Sequence, residues 1–201
     1  PSADPHQSEY VANHWKCRAR LSGFSGSVGT VAVMQEHAGL WADGRYFIQA
    51  EQELKDSGID LFKMQMAGVP KLIDWLAEQV PEKGTVVVDG RQLTAAEAEA
   101  WLSKLGERNI GLRLDLDFIS ELWTDRPALP RAAVRRHGVE FAGRTTPDKL
   151  EEIRTAMKQK SADHYLLSSL DDIAWLFNIR GGDILHCPVV LAHALVLDDK
   201  A

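Results

Sequence analysis

The stretch Trp41 to Phe47, WADGRYF, holds the residues of this chain best suited to chemistry. Asp43 and Gly44 make a sharp strand-to-helix junction, and Arg45 then falls at a helix N-terminus, where the dipole disfavours a cation. A guanidinium placed against that preference is suited to answering a carboxylate. The plain alternative is an exposed arginine with its head in water.

Leu21 to Val33, LSGFSGSVGTVAV, raises a second possibility, because Gly23, Gly26 and Gly29 recur every third residue among hydroxyl side chains. A phosphate-cradling loop needs G-x-x-x-x-G-K-S/T opening a helix, so that backbone amides face the anion. Here there is no lysine, and Thr30 to Val33 continues as a strand. The loop is therefore expected to be a tight turn with close backbone packing.

Metal and nucleophile chemistry find less support. There is no H-E-x-x-H among the seven histidines. Asp171-Asp172 and Asp198-Asp199 are neighbours that point to different faces. His186 and His193 would face opposite sides of an extended chain, and no G-x-S-x-G elbow motivates a Ser-His-Asp set.

These residues need elements to hold them. Val28 to Met34 and Gly39 to Ala42 read as two strands across Gln35-Glu36-His37, and Tyr46, Ile48, Ala50 and Leu54 as a helix begun after Asp43-Gly44. Asp60 to Gln65 alternates like a strand, and Val69, Leu72, Ile73, Leu76 and Val80 recur at helical spacing, with Pro70 where a first helical turn tolerates it and Pro81 beyond the end. Thr85 to Val88 is a strand, Thr94 with Glu97 a capping box for the helix through Leu105, and Gly111 to Asp115 a further strand. The alternation predicts an α/β fold with helices packed on a mixed sheet.

Thr124 to Asp148 carries three prolines and little periodicity and reads as a linker. Thr146 is expected to cap a helix with Pro147 in its first turn and Leu150, Ile153 and Met157 on one face. Tyr165 to Ser168 is read as a strand, Asp171 to Phe177 as a short helix, and Val189 to Leu197 as a long strand. A weak repeat relates the start of the chain, from Ser2 through Leu21-Ser22-Gly23 to Val28, to Ser168 through Ile179-Arg180-Gly181 to Val189. The expected organisation is domain one over residues 1–123 with a truncated start, a linker over 124–145, and a second, related α/β domain over 146–201 with a truncated end.

Composition bounds the partners. A net charge of −6 argues against a nucleic-acid surface, and Arg131 to His137, RAAVRRH, is the only basic cluster. No apolar run approaches the roughly 18 residues that span a bilayer. The two cysteines, Cys17 and Cys187, are too few for a disulfide framework and fit a reducing cytoplasm.

Four motifs together resemble one family: DPHQSEY at Asp4 to Tyr10, LSGFSGSVGT at Leu21 to Thr30, LWADGRYFIQA at Leu40 to Ala50, and DDIAWLFNIRGGDI at Asp171 to Ile184. In order and spacing they are similar to the N-terminal half of cytosolic aminopeptidase P, the Xaa-Pro aminopeptidases of the creatinase and prolidase superfamily. Pro5 departs from the alanine frequent in relatives. The resemblance implies two creatinase N-terminal-like α/β domains ahead of a catalytic domain that binds two divalent metals, usually manganese. That domain would lie beyond Ala201, leaving no cofactor and no catalytic residue within this chain. The enzyme's metal-activated hydroxide would attack the X-Pro carbonyl carbon of peptides with proline second.

The resemblance further assigns peptide contact to Arg45, loop shaping to Asp43 and Tyr46, and a weaker substrate-binding role to Arg180, in a homodimer. The 201-residue segment alone is expected to be inactive. A free-standing dimerisation module of the same fold and a creatinase-like amidinohydrolase stand as alternatives.

Overall fold

The structure, a computed structural model, describes residues 3–201. Ser2, where the repeat was read to begin, lies outside the described residues. The chain divides into two compact units, one ending at Pro127 and the other running from Ala128 to Ala201.

In the first unit, helix α1 (Cys17–Ser22) ends at Gly23, whose φ of 73° supplies the left-handed cap that other residues adopt at a cost. Strands β1 (Gly29–Val33) and β2 (Ala38–Ala42) form an antiparallel hairpin with Gly29 opposite Ala42. Helix α2 (Phe47–Glu53) then crosses over to β3 (Ile59–Lys63), which runs parallel to β2. Beneath this mixed sheet Phe24, Leu40, Ala42, Ala50 and Leu54 form one buried cluster.

Helix α3 (Leu72–Gln79) leads to β4 (Thr85–Val87), and helix α4 (Ala95–Gly106) joins β4 to a parallel partner, β5 (Gly111–Arg113). Thr94 and Glu97 make the reciprocal capping box expected of them. Leu76, Val80, Val86, Leu105 and Ile110 build the second cluster. Helix α5 (Phe118–Leu122), capped by Asp117, closes the unit.

The second unit begins inside the stretch expected to be a linker. Strand β6 (Arg135–Arg136) and helix α6 (Val139–Ala142) precede α7 (Thr146–Gln159). Thr145, one residue earlier than expected, caps α7, because its hydroxyl and the Asp148 carboxylate satisfy each other's backbone amides. Strand β7 (Tyr165–Leu167), helix α8 (Leu170–Leu176), strand β8 (Ile179–Arg180) and strand β9 (Ala194–Val196) follow. β6 pairs with β8 and β7 with β9, both antiparallel.

The expected strand over Val189 to Leu197 shrinks to β9. Leu191 donates its amide to the Asp183 carboxylate at 2.9 Å, and the Pro188 carbonyl accepts from Gly181. A loop thus takes the backbone groups that a ladder would have used. The mixed-sheet α/β class expected from the sequence is the class observed.

Candidate functional site

Asp43 follows β2 and caps a 3-10 turn, Gly44–Tyr46. Its Oδ1 accepts the Arg45 amide at 3.0 Å and Arg45 Nε at 2.7 Å. The carboxylate answered by Arg45 is thus, first, its own cap. That ion pair holds the Asp43 carboxyl below the usual range and raises the guanidinium, to which the Glu9 charge also contributes.

The Arg45 side chain remains 59% exposed, with its guanidinium 5.4 Å from the Tyr46 ring centre. Tyr46 is held more firmly. Its hydroxyl shares a 2.7 Å hydrogen bond with Ser27 Oγ, and its ring meets buried Phe24 edge-on at 5.9 Å. Ser27 and Phe24 belong to the glycine loop, so that loop supports the arginine turn.

The loop is the electrostatic opposite of a phosphate cradle. Arg18, projecting from α1 into the unit, donates through Nη2 to the Gly26 carbonyl and through Nη1 to the Gly29 carbonyl at 3.3 Å. Carbonyl oxygens converge on a buried cation, where an anion site would present amides. Burial lowers the Arg18 pKa, with the Tyr46 and Glu53 charges opposing. Glu53 in turn accepts the Ser25 amide at 2.9 Å and the Ser25 hydroxyl at 2.6 Å.

Gly26 leaves no room for a side chain, since a Cβ there would strike the buried Phe24 ring and lie 2.9 Å from Tyr46 Cδ1. Gly26→Ala is expected to cost about 1–3 kcal/mol by overpacking. Thermal unfolding of the variant checks this, and the perturbation should extend to the Tyr46 environment.

A second D-G-R, Asp89-Gly90-Arg91, folds into the same turn at the end of β4. Asp89 Oδ1 accepts the Arg91 amide at 3.1 Å and Nε at 2.9 Å. The fold-back of arginine onto aspartate is therefore local turn chemistry. Arg91 differs in also reaching Asp117 Oδ2 at 2.7 Å, which binds it into a structural clasp with Arg126. Arg45 is the D-G-R arginine paired only with its cap among these carboxylates.

The structure thus brings Asp43, Arg45 and Tyr46 together. Arg180 belongs to the second unit, where Nη1 donates to the Ala174 and Ile179 carbonyls at 3.0 and 2.8 Å and satisfies the end of α8. Arg18, Ser27 and Glu53 escaped the sequence reading. The one signal for them was the three-residue glycine spacing, whose demand for close packing implied a neighbour in the gap. Lys149, 1% exposed, was also missed. It donates to Trp175 O and Asn178 Oδ1, both at 2.7 Å, and burial lowers its pKa.

Among the described residues no group of three or more His, Cys, Asp or Glu side chains is arranged to hold a metal. The donors present do not fit a dinuclear centre.

Residues 19–112 match one family model described as the creatinase/prolidase N-terminal domain, and residues 125–201 match a second with the same description. Two stretches that together take in most of the chain thus each match a model of the creatinase/prolidase N-terminal domain.

Among individual proteins, the chain is 39% identical to aminopeptidase P1 of Arabidopsis thaliana over all of its own length and 31% of that protein. It is 41% identical to a probable Xaa-Pro aminopeptidase P of Talaromyces marneffei, over 98% of the chain and 30% of that protein. The solved X-prolyl aminopeptidase of Caenorhabditis elegans, described as a cytosolic enzyme with a di-nuclear active site, superposes with a TM-score of 0.92 at 35% identity. That match covers 98% of this chain and 32% of the other. The chain therefore spans about a third of the length of the relatives it matches.

Proposed function

We propose that this chain is the N-terminal substrate-binding and assembly region of a metal-dependent Xaa-Pro aminopeptidase, which removes the first residue from peptides with proline second. The observation that carries the reading is the likeness, over 98% of the chain, to the C. elegans X-prolyl aminopeptidase. The two creatinase-type matches support two related domains, of which the first holds the arginine turn.

Within that reading Arg45 binds peptide. A guanidinium can hold a carbonyl or carboxylate by paired, charge-assisted hydrogen bonds. Asp43 takes Nε, while Tyr46 and Ser27 fix the loop beneath. Arg180 is the weaker substrate contact, since its guanidinium already serves backbone carbonyls. Two divalent metals, manganese in this reading, belong to a catalytic domain outside residues 1–201. The enzyme is a cytoplasmic homodimer. Two free cysteines and the absence, among the described residues, of any helix long and apolar enough to cross a membrane accord with that location.

The test is hydrolysis of an Xaa-Pro peptide by the full-length enzyme and by purified residues 1–201, with manganese present. Activity of the first and none of the second is expected. Cleavage by the segment alone, or failure of the full enzyme to prefer proline in the second position, contradicts the proposal.

A further inference from the structure

The basic cluster Arg131 to His137 runs into β6, whose ladder sets Arg135 directly opposite Arg180 of β8. Residues opposite one another in an antiparallel pair share a face, with Cα atoms about 5 Å apart, and like charges in that position destabilise the sheet. Neither arginine has an ion pair to relieve it. Among the described residues of the second unit the one ion pair joins Arg144 to Glu152. Asp183, three residues beyond Arg180, accepts the Ala132 amide through Oδ1 and the Leu191 amide through Oδ2. The charges that bear on buried Lys149, those of Arg144 and Arg180, are positive as well.

The donors that remain suit an anion. Arg180 Nη1 serves the Ala174 and Ile179 carbonyls, which leaves the Nε–Nη2 edge of its fork without a hydrogen bond among the described residues. That edge is the one that grips an oxyanion side-on through two parallel bonds. Arg180 is half-buried, so a charge held there is screened less than one in open water. The Arg135 side chain is exposed, and it too makes no hydrogen bond among the described residues.

We infer that Arg135 and Arg180 form a site for a phosphate dianion, inorganic or carried on a phosphorylated side chain, held by the free edge of Arg180 and by Arg135 from the neighbouring strand. The ligand class is distinct from the peptide assigned to Arg45. Two guanidinium charges on one face call for two negative ones, and a phosphorylated side chain brings about −1.5 to −2 with three acceptor oxygens. A single carboxylate leaves one cation of the pair uncompensated.

The experiment titrates inorganic phosphate into the full-length protein by calorimetry at fixed ionic strength, with sodium acetate as the control anion. A saturable phosphate site is expected in the parent, weakened roughly tenfold or more in Arg135→Gln, and acetate should not compete for it. Because Arg135 is exposed and the substitution removes a like-charge pair, the phosphate-free unfolding midpoint of Arg135→Gln should equal or exceed the parent's. A short phosphoserine peptide separates the two sources. Binding tighter than both inorganic phosphate and the unphosphorylated peptide assigns the site to a phosphoprotein, and binding no tighter than inorganic phosphate assigns it to the free anion. No saturable phosphate binding, an affinity unchanged in Arg135→Gln, equal competition by acetate, or a lowered phosphate-free midpoint would overturn the inference.

Discussion

Asp117→Asn should destabilise the first unit by roughly 3–5 kcal/mol, the range found when one partner of a buried charge pair is removed. Asp117 Oδ2 accepts Arg91 Nη2 at 2.7 Å, Arg126 Nη1 at 2.8 Å and Ser120 Oγ at 2.9 Å. The Arg126 side chain is only 6% exposed, so the loss of the carboxylate charge leaves a desolvated guanidinium with less compensation. Arg126 also donates to the His14 carbonyl and, with Arg91, lies within 5.5 Å of the centre of the Trp15 ring. One carboxylate therefore ties the segment around Trp15 to both the β4 turn and α5.

Urea unfolding followed by tryptophan emission reads the effect. Burial alone would raise the Asp117 pKa, but hydrogen bonds from Arg126 and Ser120 prevail and hold it well below the usual carboxylate range. The group stays charged in the folded chain at pH values where the unfolded chain takes up a proton. Its stabilisation is thus complete above about pH 4 and is lost as pH falls through the lower, folded-state pKa. The Asp117→Asn variant should show a correspondingly smaller loss of stability on acidification than the parent.

Arg18→Met should cost about 2–4 kcal/mol, because each buried acceptor left unpaired carries a penalty of about 1–3 kcal/mol, partly offset by the desolvation of the cation. The acceptors are the Gly26 and Gly29 carbonyls, and Arg18 also covers the Phe24 ring at 5.0 Å. Arg18→Lys keeps the charge but not the fork, and should recover part of the loss. Since the loop it grips carries Ser27, the variant should also weaken the hydrogen bond between Ser27 and Tyr46. Two-dimensional NMR of ring-labelled tyrosine would register that change alongside the shift in urea midpoint.

The parts of the fold legible in the sequence are those with a local cause. The β1–β2 hairpin follows from β-branched and apolar runs around a polar turn, and the α4 start from the Thr94-x-x-Glu97 spacing. Thr145 and Thr146 are both capping types, and only the three-residue distance to Asp148 selects Thr145 as the cap of α7. Helix α1 gave no signal: its sequence, CRARLS, carries little apolar periodicity, Arg18 is buried against the glycine loop that follows, and Cys17 meets Arg126, 109 residues further on. Strand β6 is two residues long and exists through pairing with β8.

At the candidate site the same division holds. The Asp43 cap and the position of Arg45 could be read from D-G-R, since a three-residue turn is local. The support of that turn by Arg18 through the glycine loop could not, because it joins residues whose only sequence mark is the absence of side chains at Gly26 and Gly29. The second D-G-R shows the limit of the motif itself, which fixes the turn but not whether its arginine faces a ligand or a structural carboxylate.

The decisive measurement is the steady-state kinetics of Arg45→Ala in the full-length enzyme with an Xaa-Pro peptide. A charge-assisted hydrogen bond contributes about 1.5–3 kcal/mol, so kcat/KM should fall roughly ten- to a hundredfold. Metal content and unfolding midpoint should stay unchanged, and Arg45→Lys should restore only part of the loss. Kinetics identical to the parent would show that Arg45 is a surface arginine held by its own cap, and would contradict substrate binding by this domain through the D-G-R turn.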